Sequence, residues 1–156
     1  MGTLDVRSMV REMYDAWNAK DMERVEAYAH PDCRVTNIAF GASLAFKDYE
    51  RNWATAFPDG RCELINVIAD GDCVTAEFIG RSTHRGPLQK PSGTLPATNR
   101  KVELRLVEIW EFRNGKIATG RSYFDSAGFM VQLGMAPQIG QATGAQASQA
   151  QSQQRR

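Results

Sequence analysis

The sequence predicts an α+β fold: a curved, mostly antiparallel sheet wrapped around N-terminal helices, with an internal pocket. Three observations carry this reading. Apolar residues in the first sixty positions recur at the spacing of helix faces. From Arg61 onward they alternate with period 2. Two turn signals, Asp70-Gly71-Asp72 and Asn114-Gly115, divide the alternating part into long strands. Helices followed by a run of antiparallel strands mean α+β. Strands of this length curve into a half-barrel and leave a cavity between the concave face and the helices.

The elements follow in order. Val6, Met9, Val10, Met13, Tyr14 and Trp17 share one face of a first helix, capped by Thr3 or Asp5. Asp21 caps a shorter helix whose Met22, Val25 and Tyr28 face inward, and His30-Pro31-Asp32 ends it. A short strand is predicted from Cys33 to Asn37. A third helix is predicted over 46–57, with Phe46, Tyr49, Trp53 and Phe57 on one face; Pro58-Asp59-Gly60 stops it. Strands are then predicted from Arg61 to Ala69 and from Cys73 to about His84. Residues 85–98 hold Gly86, Pro87, Pro91, Gly93 and Pro96 and read as a loop. Strands at 100–113 and from Lys116 to about Asp125 flank Asn114-Gly115. Ser126 caps a last helix through Leu133, closed by Gly134. Residues 1–137 form a single domain. Beyond Pro137 large apolar residues are nearly absent, so 138–156 read as a disordered tail. No internal repeat is visible.

Composition excludes several function classes. Of 156 residues, 19 are Lys or Arg and 18 are Asp or Glu, a net charge of +1. That balance argues against a nucleic-acid groove and against an anionic membrane surface. Three cysteines without C-x-x-C spacing argue against a disulfide framework or zinc ribbon and for free thiols. Asp5, Arg7, Arg11 and Glu12 interrupt any signal peptide, and no apolar run is long enough to span a membrane. Val6 breaks the myristoylation pattern suggested by Met1-Gly2. A cytoplasmic protein is expected. Two histidines without ligand spacing predict no metal site, and no phosphate loop or nucleophile elbow is present. No cofactor is expected.

A set of short segments points further. These are Trp17-Asn18 with Asp21, His30-Pro31-Asp32, Phe57-Pro58-Asp59, Gly80 to Gly86 (GRSTHRG), Pro96-Ala97-Thr98, Gly115-Lys116-Ile117, and Asp125 followed by Gln132-Leu133-Gly134. Their order and spacing over residues 6–134 resemble the SnoaL-like polyketide cyclase family. That resemblance implies the cone-shaped α+β half-barrel of the nuclear transport factor 2-like superfamily. It implies a cofactor-independent tailoring enzyme of secondary metabolism, closing rings by intramolecular aldol chemistry. Asp125 stands where the family has its acid/base Asp. Glu108 stands where a strand His often assists. Isomerases, dehydratases, hydroxylase-like proteins and plain binding modules share the superfamily.

The residues themselves suggest where chemistry would sit. A two-residue Asn114-Gly115 turn sets Phe112 opposite Ile117, Trp110 opposite Thr119, Glu108 opposite Arg121, Leu106 opposite Tyr123 and Leu104 opposite Asp125. That face is the more apolar one and is taken as concave, so Glu108, Arg121 and Asp125 would enter an apolar interior. Glu108 either pairs with Arg121 or acts in catalysis. Asp125 either caps the last helix or is a general base with a raised pKa. His84 either polarises a carbonyl at the pocket mouth or anchors its loop; His30 is a turn residue. Tyr14, Trp17, Tyr49, Trp53, Trp110 and Tyr123 form core or stack on a flat substrate. The expected substrate is a small apolar carbonyl compound, with Asp125 taking a proton and Arg121 or His84 stabilising the enolate. Val107 and Ile109, flanked by Glu103, Arg105 and Glu111 on the outer face, suggest a homodimer or higher homo-oligomer.

Overall fold

A computed structural model describes residues 5–135; Thr3 and the predicted tail over 138–156 lie outside them. The helical part follows its periodicity. Helix α1 (Val6–Asn18) buries Val6, Val10, Met13 and Tyr14, and Asp5 caps it by accepting from Arg7 and Ser8 N–H. Asp21 caps α2 (Met22–Glu26) through Arg24 N–H. After β1 (Ala29–Asn37) and β2 (Ala42–Ala45) comes α3 (Phe46–Ala56), which buries Phe46, Tyr49, Glu50 and Ala56. Among the described residues no helix is long and apolar enough to cross a membrane.

The strand part is β3 (Arg61–Asp70), β4 (Cys73–Thr83), β5 (Leu88–Lys90), β6 (Gly93–Leu95), β7 (Lys101–Arg113) and β8 (Lys116–Phe124), followed by α4 (Ser126–Gln132). Six strands form one curved, unclosed sheet in the order β2-β1-β8-β7-β4-β3. All its pairings are antiparallel except β1 with β8. Helix α1 lies against β3 and β4, and α3 against β1. Alternation puts Val74, Ala76 and Phe78 of β4 on the covered face, with Val102, Leu104, Leu106, Trp110 and Phe112 of β7. Asn114 and Gly115 both take positive φ (49° and 76°), as a type I′ hairpin requires.

Several boundaries differ from expectation. The 30–32 segment belongs to β1, which begins at Ala29 and pairs there with Ile117. Strand β2 has only four residues, too few for a periodic signal. The predicted loop 85–98 contains the β5–β6 hairpin, which buries Leu88 and Leu95. Asp125 rather than Ser126 caps α4, accepting from Gly128 N–H at 2.9 Å.

One difference governs the site. Phe112 pairs with Ile117 as expected, but Glu111 pairs with Thr119, leaving Ala118 as an extra residue on β8. This β-bulge reverses the facing of everything after it. Trp110 now opposes Gly120, Glu108 opposes Ser122, and Ile109 opposes Arg121. The Trp110 ring lies across Gly120, where a Cβ would come within 2.3 Å of it. A glycine inside a strand often marks such a bulge and close approach.

Candidate active site

The concave face, α1, α3 and α4 enclose a cavity of about 740 Å³, its open mouth included. Its lining is apolar apart from a few groups, as expected of a small-molecule site. Arg61, Arg81 and Ser82 line both the cavity and the adjoining surface groove, so they mark the mouth. Arg81 is held there by Glu63 at 2.5 Å and Glu103 at 2.9 Å. Tyr14, Trp17, Tyr49, Trp53 and Phe57 supply aromatic walls.

Glu108 stands in this cavity, buried at 5% exposure. The Tyr14 hydroxyl donates to its Oε2 at 2.5 Å, and the Tyr49 hydroxyl to its Oε1 at 2.7 Å. Trp110 Nε1–H donates to the Tyr14 oxygen at 3.2 Å, which aims the phenolic proton at the carboxylate. Burial pushes the Glu108 pKa up, while the Tyr14 and Tyr49 hydrogen bonds work against that rise. Both phenols keep their protons, because burial and then the Glu108 charge raise their own pKa values. Ser122 is near enough to favour the Glu108 charge, but its sealed hydroxyl finds no hydrogen bond of good geometry.

A second carboxylate lines the same cavity. Glu50 of α3 is 7% exposed. Burial first, then the Glu108 charge, push its pKa well up, with the Trp17 side chain opposing. The sequence reading missed it, although a signal exists. Phe46, Tyr49, Glu50, Trp53 and Phe57 occupy one helical stripe, and Glu50 is the charged residue on it.

The other expected site residues lie elsewhere. Arg121 projects from the outer face and pairs with Glu111 at 3.1 Å, not with Glu108. Tyr123 is on the same outer face and 39% exposed. Asp125 is exposed and serves as the α4 cap. All three depart from expectation for one reason, the Ala118 bulge. Trp110 is fully buried beneath Tyr14, behind the cavity wall. His84 is also fully buried outside the cavity. Its Nδ1 accepts from Thr98 N–H at 3.2 Å and meets Thr98 Oγ1 at 3.0 Å. Its ring lies 5.3 Å from that of Phe57, and burial lowers its pKa. It anchors the loop. Tyr14, Trp17 and Trp53 line the cavity. Among the described residues no three His, Cys, Asp or Glu side chains are grouped to hold a metal ion.

The short motifs act mostly as fasteners. Asn18 bridges α1 to β3, donating to Cys62 C=O at 2.9 Å and accepting from its N–H at 2.7 Å. Asp59 accepts from Ser82 Oγ at 2.6 Å and Thr83 N–H at 2.9 Å. Desolvation opposes its ionisation, yet these hydrogen bonds hold its pKa down at about 2. Arg85 and Gly86 N–H both donate to Ala56 C=O, closing the C-terminus of α3. A Cβ on Gly86 would stand 2.1 Å from Thr55 O, so only glycine fits.

Solved structures share this architecture. AclR, a candidate hydroxylase from Streptomyces galilaeus, is 23% identical, with 86% of this chain and 89% of that one covered at TM-score 0.70. IdmH, a candidate polyketide cyclase from Streptomyces antibioticus, is 20% identical, covering 82% and 97% at TM-score 0.64. A protein of ketosteroid isomerase-like fold from Catenulispora acidiphila, solved with trimethylamine, is 15% identical, covering 81% and 92% at TM-score 0.65. These likenesses show the fold. Among curated proteins none matches the sequence. The sequence profile of the SnoaL-like polyketide cyclases matches residues 7–133, nearly the whole described chain, and the protein belongs to that family.

Proposed function

We propose that the protein is a cofactor-independent tailoring enzyme that enolises an apolar carbonyl compound in the cavity, with Glu108 as the general base. One observation carries this reading: a buried carboxylate, oriented by two tyrosines, faces an otherwise apolar cavity. Buried charges without a cationic partner are rare unless they are used. Glu108 would take the proton from the carbon next to the carbonyl. The aromatic walls would hold a flat substrate. Family membership favours an aldol ring closure as the use of the resulting enol. Hydroxylase-like chemistry is a second reading, favoured by the likeness to AclR.

The test is a screen of aromatic polyketide-like carbonyl compounds against wild type, Glu108→Gln and Asp125→Asn. Glu108→Gln should lose turnover and Asp125→Asn should keep it. The reverse pattern would move the base to the rim of α4. We also propose a homodimer through the outer face of the sheet, where Val107 and Ile109 are half-buried and Tyr123 exposed. A monomer mass in light scattering at micromolar concentration would refute it.

A further inference from the structure

Glu50 and Glu108 share one apolar cavity, and their hydrogen-bonding surroundings differ. Glu108 accepts a phenolic proton on each oxygen, at 2.5 and 2.7 Å. These are the lengths of hydrogen bonds to an ionised oxygen. Trp110 can only donate, so the Tyr14 hydroxyl has one direction left for its proton, toward Glu108. The neighbourhood of Glu108 is thus built around an anion. Glu50 has one polar neighbour in support, the Trp17 side chain, and no Lys or Arg pairs with it among the described residues.

We propose that the two glutamates form an acid/base pair, in which Glu50 holds the proton and is the general acid for the oxygen of the substrate carbonyl. The inference rests on the enolising reading above. In the forward step Glu108 takes the α-proton, and the C–H electron pair becomes the C=C bond. The carbonyl π pair takes the Glu50 proton and becomes an enol O–H. In a ring closure, the enol carbon then attacks a second carbonyl carbon of the same substrate. The new alkoxide takes the proton from Glu108, and the enol O–H returns its proton to Glu50. Both glutamates end as they began, and no co-reactant is needed.

Other groups facing Glu50 do not supply that proton more readily. Cys33 of β1 and Cys62 of β3 feel its charge, and burial pushes their thiol pKa values up, that of Cys33 to about 11. Tyr49, its neighbour on α3, donates to Glu108. Arg61 and Arg81 stand at the mouth, and Arg81 is tied to two glutamates.

The test uses the full chain labelled with carboxyl-¹³C glutamate, titrated by NMR. Two resonances should titrate above the ordinary glutamate range, and Glu50→Gln should remove the higher one. The remaining Glu108 midpoint should stay in place, because Glu50 is still neutral where Glu108 titrates, whereas in Glu108→Gln the Glu50 midpoint should fall, because the like charge is gone. Glu50→Asp, which keeps a carboxyl group but carries no glutamate label, should remove the same resonance and assigns it if the Gln variant does not fold. A higher midpoint belonging to Glu108, or a Glu50 that titrates like an exposed side chain, overturns the assignment.

Exchange of the α-protons of 2-tetralone in D₂O gives a second readout. Wild type should show a bell-shaped pH profile. Glu50→Gln should slow exchange by about 10²-fold and lose the high-pH limb; Glu108→Gln should lose the low-pH limb. A wild-type protein inert toward 2-tetralone overturns the enolising reading and the acid step with it. An unchanged high-pH limb in Glu50→Gln overturns the acid step alone.

Discussion

Glu108 and Glu111 stand three residues apart on β7 and live in opposite electrostatic worlds. Glu108 faces the cavity, meets two tyrosines and no cation, and burial pushes its pKa up. Glu111 faces out, and hydrogen bonds from Thr119 and Arg121 pull its pKa down. Residue type and strand are the same; the face decides. A period of two separates chemistry from surface polarity, and anything that slips the register exchanges the two. The bulge at Ala118 is such a slip, and it determines that Arg121 neutralises Glu111 rather than Glu108.

The contrast should break most visibly in turnover. Glu108→Gln removes the proposed base and should reduce kcat by roughly 10²–10⁴-fold, while Glu111→Gln on the outer face should leave it unchanged. Steady-state kinetics on a compound from the carbonyl screen measures both. Equal losses in the two variants would show that the inner face has no special role.

Inserting one alanine after Thr119 tests the register itself. The added residue either reverses the faces of β8 beyond it or has to be taken up as a second bulge. Reversal would drive Arg121 and Tyr123 inward and expose Ser122 and Phe124. We expect a stability loss of more than about 3 kcal/mol in urea unfolding. An insertion variant as stable as wild type would mean that the register is not held by the core.

The two glutamates also predict opposite pH slopes. Folding raises the Glu108 pKa, so its contribution to stability is full below the ordinary value of about 4.3 and is lost as pH rises through the raised one. Folding lowers the Glu111 pKa, so its contribution is present above about 4.3 and is lost as pH falls through the lowered one. Unfolding free energy measured against pH should therefore lose its alkaline-side decline in Glu108→Gln. It should lose part of its acid-side decline in Glu111→Gln.

The smallest effect sharpens the same boundary at the end of β8. Asp125→Ala should cost about 1 kcal/mol through the lost α4 cap, and Asp125→Asn only a few tenths. Thermal unfolding reads both. A kcat loss in Asp125→Asn that matched Glu108→Gln would return Asp125 to the chemistry.

How much of this was legible follows from the range of each signal. Capping by Asp5 and Asp21, the 46–56 helix, and the hairpins at Gly71 and Gly115 are local, and the sequence displays them. Tyr14, Trp17 and Trp53 were legible as cavity walls because they lie on apolar helix faces. Glu108 was legible because it interrupts an apolar strand face. Glu50 was visible in principle as a charge on an apolar stripe, but a helix surface alone does not say which stripe meets a cavity.

By itself, then, the chain determines the four helices, the long strands, the turns at Gly71 and Gly115, and the family. The helices, strands and turns depend on residues within a few positions of one another, where backbone sterics and side-chain periodicity act directly. The family shows in the order of short segments over residues 6–134. The short strands β2, β5 and β6 carry no such signal. Tertiary structure decided the facing of Arg121, Tyr123 and Asp125, the placing of Glu50 and Glu108 in one cavity, and the two tyrosines on Glu108. Residues 117–120 alternate acceptably in either register. The choice is made by the Trp110 ring, which needs the space that only Gly120 leaves open across the sheet. That contact joins residues ten apart in sequence, and the contacts of Tyr14 and Tyr49 with Glu108 span 94 and 59 positions. Only the packed sheet and helices bring them to one point.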